Sequence, residues 1–597
     1  MNTKTTFLLL IVVGLLIGAI ALFERNRPSG SAARDQYLLI FDKSKVEGID
    51  IVSNEDRVEL RRRGAKWFMQ SPSKDRANSA AVAEILAMCE SLTKEPVDGC
   101  RNADKKQIKA FGLAKPAVSL KLIGRRMPTE LLLGKETAVE GKLYARLEGS
   151  DSVWVVSSEL RNVMTRKPDE FRDPTLADFD GSSVKKVAVK TPAGDVDLTR
   201  DAGKWSFVKP IRTRADNPTV VNFLNSVLQT KINAFLPENR GNLNTYGLSE
   251  PRGSVSFQLL GQSQPIVLEI GARDDKTGGV YGRFSSRGGI CLLPKESENI
   301  LKLLPNDLRD RSLIRLDSDV VDRIAITPAG KPPIKIIRTK EDWNVSSEGY
   351  ETLPSIVPAN KVKIMQMLSD LQGRKVVQFV TDVASDLGKY GLDRPRVRVT
   401  FSSYSSENTS ESEAGEHPLL TLAFGKTEGK LVYARVESEP FIVAVDASVL
   451  DGLGLSWAAW RQLAVLRLRS TEIYSITVIP YAEGLAKAPL NIRADAGGNW
   501  ATNERTFGIV NRDNTRRFLK SISNITAVQW TDEPGPLTPA FIVEFVTTAH
   551  KTHRLILGVT AEDGSCLASF QGKPGIFRLS AADNEVFHSR LIDPVTP

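Results

Sequence analysis

The sequence predicts an α+β protein: an N-terminal transmembrane helix followed by four tandem modules, each a mainly antiparallel sheet with one packed helix and a short second helix. Three observations predict it. Residues 7–23 read FLLLIVVGLLIGAIALF without a polar interruption. A tryptophan beside a strand recurs at Trp67, Trp205 and Trp343, each 138 residues from the last, and again at Trp500 after 157 residues. Each tryptophan is followed by a segment of helical periodicity and then by segments of alternating polarity, the order expected of one duplicated unit.

The apolar run comes first. Seventeen residues at 1.5 Å rise span about 25 Å, enough for a thin or locally adapted bilayer. Ala19-Ile20-Ala21 resembles a signal-peptide cleavage site, but apolar residues continue through Phe23, which favours a retained signal anchor. Arg25, Arg27 and Arg34 follow the run and only Lys4 precedes it, so the positive-inside tally opposes export. The secretory order of a short basic start and an apolar segment favours it, and long following domains cross largely regardless of charge. The expectation is a single-pass inner-membrane protein, held through residues 7–23, with its body outside the cytoplasm.

At 597 residues the chain exceeds what one core supports. With 41% hydrophobic and 25% charged residues it is neither disordered nor collagenous. The landmarks divide it into residues 1–35 (anchor and linker), 36–174, 175–311, 312–465 and 466–597, the last copy degenerate. In each copy the tryptophan closes a strand pair and is read as a hydrophobic anchor beneath the helix rather than a sugar platform. Asn78, Asn217, Asn360 and Asn514 are read as helix N-caps, with Pro218 at the first helical position. The apolar stripe Val82, Ile85, Leu86, Cys89 in copy one has counterparts in the other three.

A turn then recurs as Phe111-Gly112-Leu113 with Pro116, Tyr246-Gly247-Leu248 with Pro251, and Tyr390-Gly391-Leu392 with Pro395; copy four has Pro536-Leu537 instead. Next come strands closing on Gly134, Gly271, Gly425 and Gly558, and strands carrying Tyr144-Ala145-Arg146, Tyr281-Gly282-Arg283 and Tyr433-Ala434-Arg435. Copy three is longer between turn and glycine, and its polar, serine-rich residues near 402–417 are expected to form a disordered loop.

These landmarks resemble the bacterial domain-of-unknown-function family numbered 4340, across nearly all residues after about 36 and most weakly in copy four. The resemblance implies one N-terminal membrane helix and an association with ABC-type transporters as an auxiliary protein of the gliding-motility kind. It is silent about activity, because its motifs are structural punctuation.

Little in the sequence points to chemistry. The net charge of +9 is spread in short runs such as Arg61-Arg62-Arg63, which excludes a basic stripe long enough for nucleic acid. Four cysteines lack any C-x-x-C spacing; Cys89 and Cys100 are near enough in sequence to bridge, but all four are read chiefly as small buried hydrophobes. His550 and His553 lie three apart across a strand start, where they point to opposite faces. No catalytic, metal or cofactor constellation is expected. The recurring Arg146, Arg283 and Arg435 are the candidate ligand residues; the structural alternative pairs each with a carboxylate of its own module. The function class expected is a non-enzymatic interaction or scaffolding protein with an envelope partner such as ABC transporter subunits, the alternative being an envelope hydrolase or glycan-binding protein.

Overall fold

The computed structural model describes residues 36–593 except 54–55, 237–242, 347–355, 405–415, 483–484, 503–507 and 532–536. The apolar run 7–23 lies outside them, and among the described residues no helix is long and apolar enough to cross a membrane. The chain forms tandem modules of antiparallel sheet with a few helices, in two compact units, Met1–Asp310 and Arg311–Pro597, each holding two large sheets.

Module one shows the plan. Its strands are β1 (Val46–Ser53), β2 (Asp56–Arg63), β3 (Lys66–Ser71), β4 (Asp75–Arg76), β5 (Glu95–Pro96), β6 (Val118–Gly124), β7 (Leu131–Glu136), β8 (Lys142–Leu147) and β9 (Trp154–Ser157). Helix α1 (Ser79–Glu90) lies between β4 and β5, α2 (Lys105–Ala110) between β5 and β6, and α3 (Glu159–Met164) after β9. The spatial order is β4-β3-β2-β1-β6-β7-β8-β9-β5. Two meanders are therefore joined by β1 against β6, with Ile51 opposite Leu120. Modules two and three repeat this nine-strand order.

One face of each sheet carries the main core. In module one, Val82, Ile85, Leu86 and Cys89 of α1 and Leu160, Val163 and Met164 of α3 join Ile49, Leu60, Trp67, Leu120 and Leu133 from the strands in one cluster. Period-two alternation puts those strand residues on one side. Trp67, Trp205 and Trp343 are buried as expected, each early in the third strand rather than at the end of a pair. Trp500 is only half-buried, and its anchor role fails: the strand holding it, Trp500–Thr502, lies at the edge of a nine-stranded sheet. The following strand, Ile509–Val510, has left that sheet and pairs with Ile592–Asp593.

The helix caps hold in two copies and shift in two. Asn78 Oδ1 accepts from the backbone N–H groups of Ala80 (3.1 Å) and Ala81 (3.3 Å), and Asn360 caps Lys363 at 3.2 Å. In module two the cap is Asp216, because Asn217 accepts instead from the Trp205 N–H at 2.7 Å. In module four it is Asn511, three residues before Asn514. All four cap residues donate their own N–H to the carbonyl of a buried residue closing the module: Phe171, Leu308, Trp460 and Leu591. The short second helix is α-helical in modules one and four and 3-10 in modules two and three. In copy three, residues 402–404 and 416–417 are paired strand, not loop, because Ser402 to Tyr404 register against Pro418 to Glu416; the rest of the predicted loop, 405–415, lies outside the described residues.

Candidate functional site

The repeated motifs converge on the second face of each sheet. Gly134, Gly271, Gly425 and Gly558 do not end their strands; each sits inside one at a register shift, the mark of a β-bulge. In copies one to three the reason is a close crossing. A Cβ on Gly134, Gly271 or Gly425 would lie 2.3, 2.2 or 2.1 Å from the carbonyl oxygen of Phe111, Tyr246 or Tyr390. The turn therefore lies flat across the bulge, and Gly112, Gly247 and Gly391 take positive φ to make it. The turn aromatic then meets the tyrosine of the Y-x-R strand: Phe111 with Tyr144 at 4.2 Å, Tyr246 with Tyr281 at 4.8 Å, Tyr390 with Tyr433 at 5.0 Å between ring centroids. Around the first pair Leu113, Leu132, Ile108, Cys100 and Val153 form a small second core. Cys89 belongs to the main core on the opposite face, so Cys89 and Cys100 are free thiols rather than a disulfide. Burial pushes the Cys89 thiol up to about 12.

The three recurring arginines lie on this second face, each within its own module, and share no partner. Arg283 grips Glu269 Oε2 through Nε and Nη2, both at 2.7 Å. Arg146 instead donates to the Ser150 carbonyl (3.2 Å), and Arg435 to the carbonyls of Glu439 and Glu437 (3.3 Å each). The expected carboxylate partner thus exists in one copy of three. The residue across the strand is Glu269 in module two but Leu132 and Ala423 in the others. Arg146 and Arg435 thus tie down the hairpin end beside them, whereas Arg283 reaches across to the neighbouring strand.

The histidines are not brought together as ligands. His553 is buried in a stack with Phe545 (5.1 Å) and Phe570 (5.8 Å), and burial lowers its pKa. His550 sits in a turn at φ +60° beside Tyr474. Among the described residues no three His, Cys, Asp or Glu side chains gather as a metal site would require.

Two features of the first unit were not foreseen. The turn segment covers only the β7–β9 half of the second face, and in module two the other half is an open groove of about 470 Å³. It is lined by Lys186, Ala188, Asp197, Thr199, Val208 and Ser256, among others. The sequence signal was present in the alternation of 184–191 and 194–201, which gives both strands a polar side, but which half stays open depends on the turn's path.

The other feature is a buried charge cluster between modules one and two. Asp75 accepts from Arg172 Nε (2.9 Å) and Nη2 (2.7 Å) and from Arg287 Nε (3.1 Å) and Nη2 (2.7 Å). Both guanidinium groups lie over Phe235, at 3.7 and 5.2 Å. Burial alone would raise the Asp75 pKa; the hydrogen bonds and charges of Arg287, then Arg172, outweigh it and hold the carboxyl below its ordinary value. Arg287 also ties to the carbonyls of Thr175 (2.7 Å) and Asp173 (2.8 Å) in the connecting segment.

No curated protein matches the sequence. Among solved structures, a DnaN sliding clamp (DNA polymerase III subunit beta) from Pseudomonas aeruginosa bound to griselimycin is 6% identical, covering 68% of this chain and 93% of that one at a TM-score of 0.12. The DNA polymerase III subunit beta from the same organism is 8% identical, covering 68% and 94% at the same score. Likenesses that faint carry no argument about fold or function. The family model that matches does so three times, over residues 67–236, 205–355 and 352–540, so the chain belongs to the family described as a domain of unknown function, DUF4340.

Proposed function

We propose that this chain is a membrane-tethered, extracytoplasmic interaction protein, not an enzyme, whose sheet modules offer their open half-faces to an envelope partner. The observation that carries the reading is the groove on module two: a surface built from regular strands, mixed in polarity and left uncovered by the turn that packs the other half. Interfaces that are not obligate have this mixed character. The residues that recur from copy to copy are spent on the turn, the bulge and the hairpin end, which is what a scaffold preserves. The apolar run 7–23 supports the tether, and the family resemblance supports an ABC-type transporter complex as the partner class.

The test is carried out on the intact chain in its native membrane. Alkaline washing should leave it bound, protease added from the extracytoplasmic side should digest the modules, and gentle solubilisation should co-purify transporter subunits. Release by the wash, protection from the protease or purification without a stoichiometric companion would each count against the reading.

A further inference from the structure

Beside the Asp75 cluster, a cleft of about 250 Å³ opens between β2–β4 of module one and the Ser286–Gly288 turn of module two. Its charged lining residues are Arg63, Lys74, Arg76 and Arg287 against the single carboxylate of Asp75, which is already engaged by Arg172 and Arg287. Arg76 Nη2 donates to the carbonyls of Thr175 and Leu176 (3.2 Å for the latter), Asp173 and Asp178 reach the guanidinium only at 3.5 and 3.7 Å, the long end of ion pairing, and its Nε is buried without an acceptor. Desolvation and then the neighbouring Arg287 charge push the Arg76 pKa down, as expected where cations crowd without enough counter-charge. Lys74 and Arg63 are exposed at the rim, Arg63 with its guanidinium 5.4 Å over the Phe68 ring. A low-dielectric wall lined by four cationic side chains and one carboxylate concentrates anions. Guanidinium groups match phosphate oxygens bidentately. Phe68 and Met69 add an apolar wall for the organic part of a ligand.

From this juxtaposition we infer that the cleft between modules one and two binds a small phosphomonoester, the dianion seated among Arg63, Lys74 and Arg76 and its organic group against Phe68. The inference does not depend on the interaction role proposed above. The same chemistry is offered by a soluble phosphate ester and by a phosphomonoester lipid headgroup.

The experiment is calorimetric titration of the detergent-solubilised full chain with glycerol 3-phosphate and with inorganic phosphate. Saturable one-to-one binding of glycerol 3-phosphate is expected, weakening with salt. R63Q and K74Q should each lower its affinity roughly tenfold. Both side chains are exposed, so the melting temperature should stay put, and K186Q in the module-two groove should change neither quantity. Micelles doped with phosphatidic acid, compared with phosphatidylcholine, assign the source: competition by the former points to a lipid headgroup, and its absence with binding intact points to a soluble ester. No saturable binding of either probe up to about 10 mM, a range beyond useful affinity, would overturn the inference. So would affinity unchanged in both R63Q and K74Q.

Discussion

Asp75 joins residues that are far apart in the chain: Arg172 lies 97 positions away and Arg287 lies 212. Its side chain is 2% exposed and those of its partners 7% and 5%, so removing the charge leaves two guanidinium groups buried without their anion. Asp75→Asn should therefore destabilise the first unit by roughly 3–5 kcal/mol, measured by urea denaturation. A loss under about 1 kcal/mol would mean that the cluster is solvated. The pH dependence has a definite sign. The folded pKa of Asp75 lies below the ordinary 3.8, so its contribution is complete above that value and is lost as pH falls through the depressed folded pKa. Wild type should lose stability below about pH 4 more steeply than Asp75→Asn. None of this was legible in the sequence. Asp75 has no counterpart in the siblings, where Thr213 and Val357 precede the equivalent Arg214-Ala215 and Pro358-Ala359, so repetition does not point to it. At the close of module three Arg461 instead stacks 3.4 Å over Trp530, and burial pushes it down to about 10.

At the scale of elements, the turn, the bulge glycine and the Y-x-R strand form one device. Gly271→Ala places a methyl 2.2 Å from the Tyr246 carbonyl, so backbone must move and about 1–3 kcal/mol should be lost. A double-mutant cycle of Tyr246→Leu with Tyr281→Leu should give a coupling of about 0.5–1.5 kcal/mol, since the rings meet edge to face. A coupling near zero would show that the two motifs recur for separate reasons. Tyr281 also donates its hydroxyl to Asp274 (2.8 Å), a bond that raises the phenol to about 12. The sequence revealed each motif singly, because glycine, proline and aromatic residues punctuate turns legibly. It could not reveal that one lies over the other. That contact needs the sheet order, in which β1 pairs not only with its neighbour β2 but also with β6, beyond two helices and four strands in the chain. Caps shifted for a similar reason: Asn217 has the right chemistry for its local position, but the Trp205 N–H is a competing donor from another strand.

Across the whole molecule, repetition was the most legible property, since a shared 138-residue spacing survives divergence of nearly everything between the landmarks. Trp205, at 4% exposure within the main core of module two, tests that reading of the landmark. Trp205→Ala should cost about 3–5 kcal/mol, and a loss under 1 kcal/mol would remove it from the core. Less legible was the division of labour between sheet faces, because alternation gives every strand a polar side without saying which part of it another segment covers. The proposed function rests on that open half. It is tested most directly by photo-crosslinking in living cells, with the reactive side chain placed in turn at Lys186, Thr199 and Ser256 in the groove and at Ser226 on the exposed side of the module-two helix Asn217–Leu228. The account predicts adducts with one discrete envelope protein from the groove positions and none from Ser226; adducts from Ser226 alone, or from no position, would contradict it.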